Sequence, residues 1–523
     1  MFQKIRELAK NLAIYGLGDV AVSVVNLLLL PVYVRYLSPA DYGALALLGT
    51  VEVIAKIVFR MGLDGAFMRF FYDCPDRAAR QRLASTLFFF LLAANGLLLA
   101  VALLFSGTLS TALFEGAPHL RALQLTLVNT FLIGFTFLPF HLMRMEKRAV
   151  QFSALTLTRS VATVILRIVL VVGFGYGVLG VVVADTAVTV ALMLLLIRWF
   201  RPLIRPAFAT GVLRDALRFG LPRVPHAGAQ QVMAVADKFV LAAYRPLQEV
   251  GVYSIGVSFG LTQKLFLSAF EYAWAPFYYE HARAPDARRL YSSMTTYGVA
   301  VLALITAGLS AAAADLLALA TQTEAAHYVP AAGVVTWIAV GVFFQGVYLL
   351  TSIGLNLTKN THYYPVATSA AAACNVGLNL LLVPRFGMNG AAWANAASYA
   401  LQALLAWRFS TRVYPVQYQT RRLATIAVAA VIASFCGHAL PDLQPLPGVL
   451  LRGSTVVMVY AGLLALSGFF EAEELRALSR LLRRRPKPGP KPGAGPEVVE
   501  LGGEIVAADL ASDPLRRGRD ERG

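Results

Sequence analysis

Four charges stand at every fourth residue of an otherwise apolar stretch, "VEVIAKIVFRMGLDGAFMRFF" (51–71): Glu52, Lys56, Arg60 and Asp64. A four-residue step advances roughly 400° around a helix, so the four drift by only about 120° over three steps and line one face. Opposite charges at i,i+4 can pair, Glu52 with Lys56 and Arg60 with Asp64, neutralising one another while they lock helix packing. The same face can instead offer its ammonium and guanidinium groups to an anion, because charge-assisted hydrogen bonds are strong where water is scarce.

Other ionisable residues are embedded in apolar runs. Arg159, Arg167, Arg223 and Lys264 add cations, and Asp19, Asp185, Asp237 and Glu271 nearly balance them. Desolvation raises a carboxylate's pKa toward neutrality, so these acids, with Glu52 and Asp64, are candidates for proton or sodium coupling or for charge balance. For Asp237, beside Lys238 near a helix end, a structural role is the better reading. His226 follows Pro222 and Pro225, which interrupt a helix and expose backbone groups. No Walker A loop, HExxH or GxSxG occurs, and Cys74, Cys374 and Cys436 have no metal-ligand spacing. Neither enzyme chemistry nor a cofactor nor a metal is expected.

These residues must be positioned by elements that live in a bilayer. Hydrophobic letters make up 58% of the 523 residues and charged ones 14%, against roughly 25% charged in a soluble domain; mean hydropathy is +0.63. Fourteen windows of spanning length recur, at 12–34, 43–69, 84–106, 122–143, 152–174, 177–198, 216–243, 250–275, 291–313, 329–355, 363–383, 388–410, 422–440 and 449–470. The expected fold is an all-α polytopic membrane protein. An Asp, Lys or Arg at the bilayer centre costs about 2.5 to 3.5 kcal/mol, and four facing lipid would cost on the order of 10 kcal/mol, so the stripe must look inward. Arg167 is deep enough that snorkelling is no easy escape.

Lys and Arg crowd alternate connectors, including Arg77, Arg80, Arg144, Arg148, Arg198 and Arg201. That bias predicts cytoplasmic amino and carboxyl termini in a cytoplasmic membrane. The net charge of +17 then reflects contact with membrane lipid rather than nucleic acid.

"YLSPADYGALAL" (36–47) and "YRPLQEVGVYSI" (244–255) match at an offset of 208, and "GYGVLGVVVAD" (175–185) and "RFGMNGAAWAN" (385–395) at 210. Two matches in chain order at nearly one offset argue for duplication across six helices, hence two six-helix bundles related by a parallel pseudo-two-fold axis, a transporter pattern. Lys56 maps onto Lys264. The expected organisation is a first bundle at 1–200, a cytoplasmic linker at 201–215, a second bundle at 216–412, helices thirteen and fourteen at 420–472 and a disordered tail at 476–523.

"LSPADYGALAL", "GLDGAFMRFFYD", "FGLPRVPHAGAQQVMAVADKFVLAAY" with "GVYSIG", and "LNLLLVPRFGMNGAAWANAAS" together resemble the polysaccharide transporter family, over about residues 1–415. Lys238 stands where that family more commonly has Arg. The family holds O-antigen and lipid-linked oligosaccharide flippases and shares a superfamily with multidrug and toxin extrusion proteins. The resemblance implies a V-shaped cleft between two bundles and alternating access. It also implies a polyprenyl-pyrophosphate-linked oligosaccharide as cargo, and polysaccharide polymerase or assembly proteins as partners. Its diphosphate suits a cleft lined by Lys56, Arg60, Arg159, Arg167, Arg223 and Lys264. Lipid II flippase and multidrug antiporter are the alternatives.

Overall fold

The computed structural model describes residues 30–114, 119–146, 148–221, 224–360 and 362–470. Those up to Phe469 belong to one compact unit. Among the described residues every regular element is helical.

The first half runs through α1 (Leu30–Tyr36), α2 (Pro39–Arg60), α3 (Leu63–Asp73), α4 (Arg77–Leu104), α5 (Ser106–Leu113), α6 (Leu120–Met145), α7 (Ala149–Ile168) and α8 (Gly177–Phe200). The second half holds α9 (Thr210–Gly220), α10 (Val224–Tyr244), α11 (Leu247–Gly260), α12 (Gln263–Glu280), α13 (Ala287–Ala311) and α14 (Ala313–Thr321). It continues with α15 (Ala325–Tyr328), α16 (Ala332–Thr351), α17 (Ile353–Leu357), α18 (Tyr363–Val413), α19 (Thr420–His438) and α20 (Pro445–Leu466). Eleven helical segments among the described residues are long and apolar enough to cross a bilayer. Leu97, Leu104, Phe435 and Leu466 point outward, as side chains bathed in hydrocarbon should. The chain is a multi-pass membrane protein.

Several expected spans take a different form. The span 216–243 is split into α9, which ends before position 222, and α10, whose second residue is Pro225. The windows 363–383 and 388–410 form one helical segment cornered at Gly387, with φ 54° and ψ −135°. There Glu249 of α11 accepts from Met388 N at 2.7 Å, and Arg245 donates to Pro384 O at 3.1 Å. The first window, with Asp19, lies almost wholly outside the described residues, as do Arg223 and the chain beyond 470.

The span 43–69 starts at a capping box. Ser38 Oγ accepts from Asp41 N at 3.1 Å, and Asp41 Oδ2 accepts from Ser38 N at 3.1 Å, with Pro39 at the first helical position. It then breaks after Arg60, where Met61 (φ 48°) and Gly62 (φ 69°) are both left-handed. Buried Asn95 of α4 donates to the Phe59 carbonyl at 2.8 Å, so the end of α2 is not left with an orphan acceptor in hydrocarbon. Gly62 lies so close to Gly220 of α9 that a Cβ on Gly220 would stand 2.8 Å from the Gly62 oxygen.

Sequence matches at the two offsets have counterparts in the backbone. Gly177 and Gly387, paired by the offset of 210, adopt φ 53° and 54°. Gly43 of α2 and Gly251 of α11, paired by 208, lie at one crossing: a Cβ on Gly43 would collide with the Leu247 carbonyl, and one on Gly251 with that of Pro39. Pro39 and Leu247 are themselves 208 residues apart, so the contact maps onto itself. Around it, Leu47, Leu48, Val250, Ile255, Val334 and Ile338 join one buried apolar cluster.

Candidate functional site

The stripe runs along α2 between two cavities, and the break at Met61 and Gly62 divides its charges. Glu52 and Lys56 form an ion pair. Arg60 Nη1 and Asp64 Oδ2 face each other loosely across the break at 3.9 Å, and Asp64 Oδ1 also accepts from Gly65 N at 2.8 Å. The side chains of Lys56 and Arg60 keep 33% and 37% of their exposure, so pairing leaves both heads reachable.

The first cavity, about 250 Å3, is lined by residues of both halves, among them Tyr33, Glu52, Asn129, Arg167, Asp185 and Lys238. Its wall is a two-point ion pair: Arg167 Nε and Nη2 donate to Asp185 Oδ1 and Oδ2, each at 2.7 Å, while Nη1 donates to Tyr33 Oη at 3.2 Å. Such a fork fixes α7 against α8 and satisfies both partners. Arg159, on the same helix, has no ion pair among the described residues and lies within electrostatic reach of Glu52 and Asp185.

The second cavity, about 440 Å3, is lined by Lys56, Arg60, Asp64 and His141 from the first half and by Val224 and Gln231 of α10. Arg60 Nε and His141 Nδ1 are buried there without a hydrogen-bond partner among the described residues. Arg60 Nε is a buried donor, and beside two cations it suits an acceptor supplied from outside, such as a phosphate oxygen, which His141 Nδ1 can also meet in the tautomer that carries its proton there.

Other sequence candidates lie elsewhere. Asp237 is buried, accepting from Tyr253 Oη and, at 2.8 Å, from Lys238 N, so it joins α10 to α11. Lys264 stands half-buried at the start of α12, without an ion pair among the described residues, and lines neither cavity. Its repeat partner Lys56 precedes the break in its own half, whereas Lys264 follows the bend at Leu261 and Thr262 that ends α11. Glu271 is exposed. For His226 only the backbone is described, as part of α10. Lys238, Tyr33, Asn129, His141 and Gln231 were not singled out from sequence as site residues. Ionisable groups inside expected spans, the ammonium at 238 and the imidazole at 141, were the signals that could have found two of them.

The family described as "Polysaccharide biosynthesis protein" matches residues 8–281, more than half of the chain. The chain belongs to that family. No curated protein sequence matches this polysaccharide biosynthesis family member. Its fold is similar to that of the lipid II flippase MurJ in an inward closed conformation, with a TM-score of 0.68 at 15% identity, covering 90% of this chain and 100% of the other. It is also similar to a multidrug resistance MATE family transporter of the MOP superfamily. The inward-facing form gives a TM-score of 0.59 at 14% identity, covering 79% of this chain and 98% of that one. The outward-facing form gives 0.53 at 14% identity, covering 80% and 96%. At such identities the likeness is one of fold.

Proposed function

We propose that this family member moves a polyprenyl-pyrophosphate-linked oligosaccharide across the cytoplasmic membrane by alternating access, for surface polysaccharide synthesis. The observation that carries the reading is the second cavity, where Lys56 and Arg60 stand between helices of both halves and two buried nitrogens lack partners among the described residues. A diphosphate supplies acceptor oxygens and negative charge to that wall, the sugars follow into the cavity and the lipid tail stays in the bilayer. In this reading both termini are cytoplasmic, energy comes from a proton or sodium gradient or the membrane potential, and polymerase or assembly proteins take the delivered cargo.

Lipid II shares the polyprenyl diphosphate and is the second reading, favoured by the fold likeness to MurJ. The test is export in cells carrying Lys56→Ala or Arg60→Ala. Both variants should reach the membrane at the parental level yet lose surface polysaccharide, and normal polysaccharide from both would refute the cavity assignment. Loss of peptidoglycan synthesis with polysaccharide intact would instead select lipid II.

A further inference from the structure

A third cationic cavity, about 480 Å3, lies apart from the stripe, at the Arg-rich ends of α4, α6 and α8. It gathers Arg77, Arg80, Arg148 and Arg198 around one carboxylate, Glu146, which pairs with Arg148 at 2.8 Å. Four cations less one anion leave three positive charges on its wall. Arg80 packs over the Phe71 ring at 4.7 Å.

Phe71, Gln81, Leu142, Pro202 and Leu203 complete the wall, and the segment joining the two halves begins at these last two. That segment is strapped to α4. Gln81 Nε2 donates to Pro202 O at 2.8 Å, Arg205 N to Ser85 Oγ at 2.8 Å and Ala209 N to Thr86 Oγ1 at 3.0 Å.

A largely apolar groove of about 360 Å3 between α7 and α8 is lined by Ala154, Leu155, Leu195 and Leu196, with Gln151, Thr158 and Arg198. Arg198 therefore lines both depressions. Leu195 is 63% exposed. A concave cluster of arginines that shares Arg198 with a largely apolar groove matches a molecule with a phosphate head and a hydrocarbon chain. A free phosphate would leave the groove unused.

We infer that this pair of depressions binds a resident anionic phospholipid, its headgroup phosphate against Arg77 and Arg198 and one acyl chain along the groove. Because the inter-half segment forms part of the wall, the bound lipid ties that segment to the first half.

The test uses the full-length protein in detergent, with native mass spectrometry after exchange with phosphatidylglycerol or phosphatidylcholine. Phosphatidylglycerol should be retained in preference, and Arg77→Gln with Arg198→Gln should lower its retention about ten-fold or more. Leu195→Trp, which fills the groove and spares the arginines, should lower it as well, and serves alone if the double variant does not fold. Equal retention of the two lipids, or undiminished retention in folded variants, overturns the inference. So does displacement by glycerol 3-phosphate as readily as by phosphatidylglycerol, which would reduce the site to a simple anion site. Stoichiometric displacement by a polyprenyl diphosphate also overturns it, reassigning the site to cargo.

Discussion

Arg167 and Asp185 meet through two hydrogen bonds of 2.7 Å, and this contact limits what either can do alone. With side-chain exposures of 21% and 22%, removing one partner strands the other charge. Arg167→Ala should therefore destabilise the folded protein by about 2 kcal/mol or more. Arg167→Met combined with Asp185→Leu should recover most of that, read as melting temperature in detergent. A coupling role for Asp185 predicts a different pattern: Asp185→Asn would abolish the pH or sodium dependence of transport and leave melting unchanged. The pairing itself was not legible in the sequence, where the two residues are separate candidates on different helices and no local spacing links them. Asp237 and Lys238, adjacent in the chain, part company in the fold. Neighbours on a helix point about 100° apart, so Asp237 turns to Tyr253 while Lys238 lines the first cavity, a division hidden when the two are read as a pair.

At the scale of the element, the period of four puts Glu52, Lys56, Arg60 and Asp64 on one face of a continuous helix, but does not reveal the break after Arg60 that separates them. A left-handed Met61 has no sequence signature, since the apolar pattern runs on through it. The break is fixed instead by the tertiary contact of Gly62 with Gly220. Gly62→Ala meets both a positive φ and the Gly220 backbone, and should cost about 2 kcal/mol or more of stability. Gly49→Ala, on the same helical run with nothing within 4 Å of an added Cβ, should stay within about 0.5 kcal/mol. Melting temperatures of the two variants side by side check the contrast. By comparison, the split of α9 from α10 was legible, because proline cannot supply the amide that a continuous helix needs.

At the scale of the whole molecule, the last two helices are clipped to the second half by one buried arginine. Arg452 Nε lies 2.8 Å from Asp315 Oδ2, an ion pair off hydrogen-bond alignment, and Nη1 donates to Gly437 O at 3.1 Å. Side-chain exposures of 9% and 12% make the pair costly to break. Arg452→Ala should lose about 3 kcal/mol or more and open the 439–444 turn to protease, whereas Asp442→Ala, removing a fully exposed partner, should do neither. This clip was missed in the sequence because Asp315 and Arg452 stand 137 positions apart, outside any repeat. The matches that suggest duplication include glycines at a backbone angle other residues rarely adopt: Gly177 and Gly387 have φ 53° and 54°. The crossing at Gly43 and Gly251 has a consequence for origin. A contact that exchanges its two sides under the repeat is what an isologous dimer of a half-length chain would make. Were the halves once separate copies, fusion would keep that interface while letting each side vary: Glu52 and Lys56 paired on one side, and on the other Lys264, without an ion pair among the described residues.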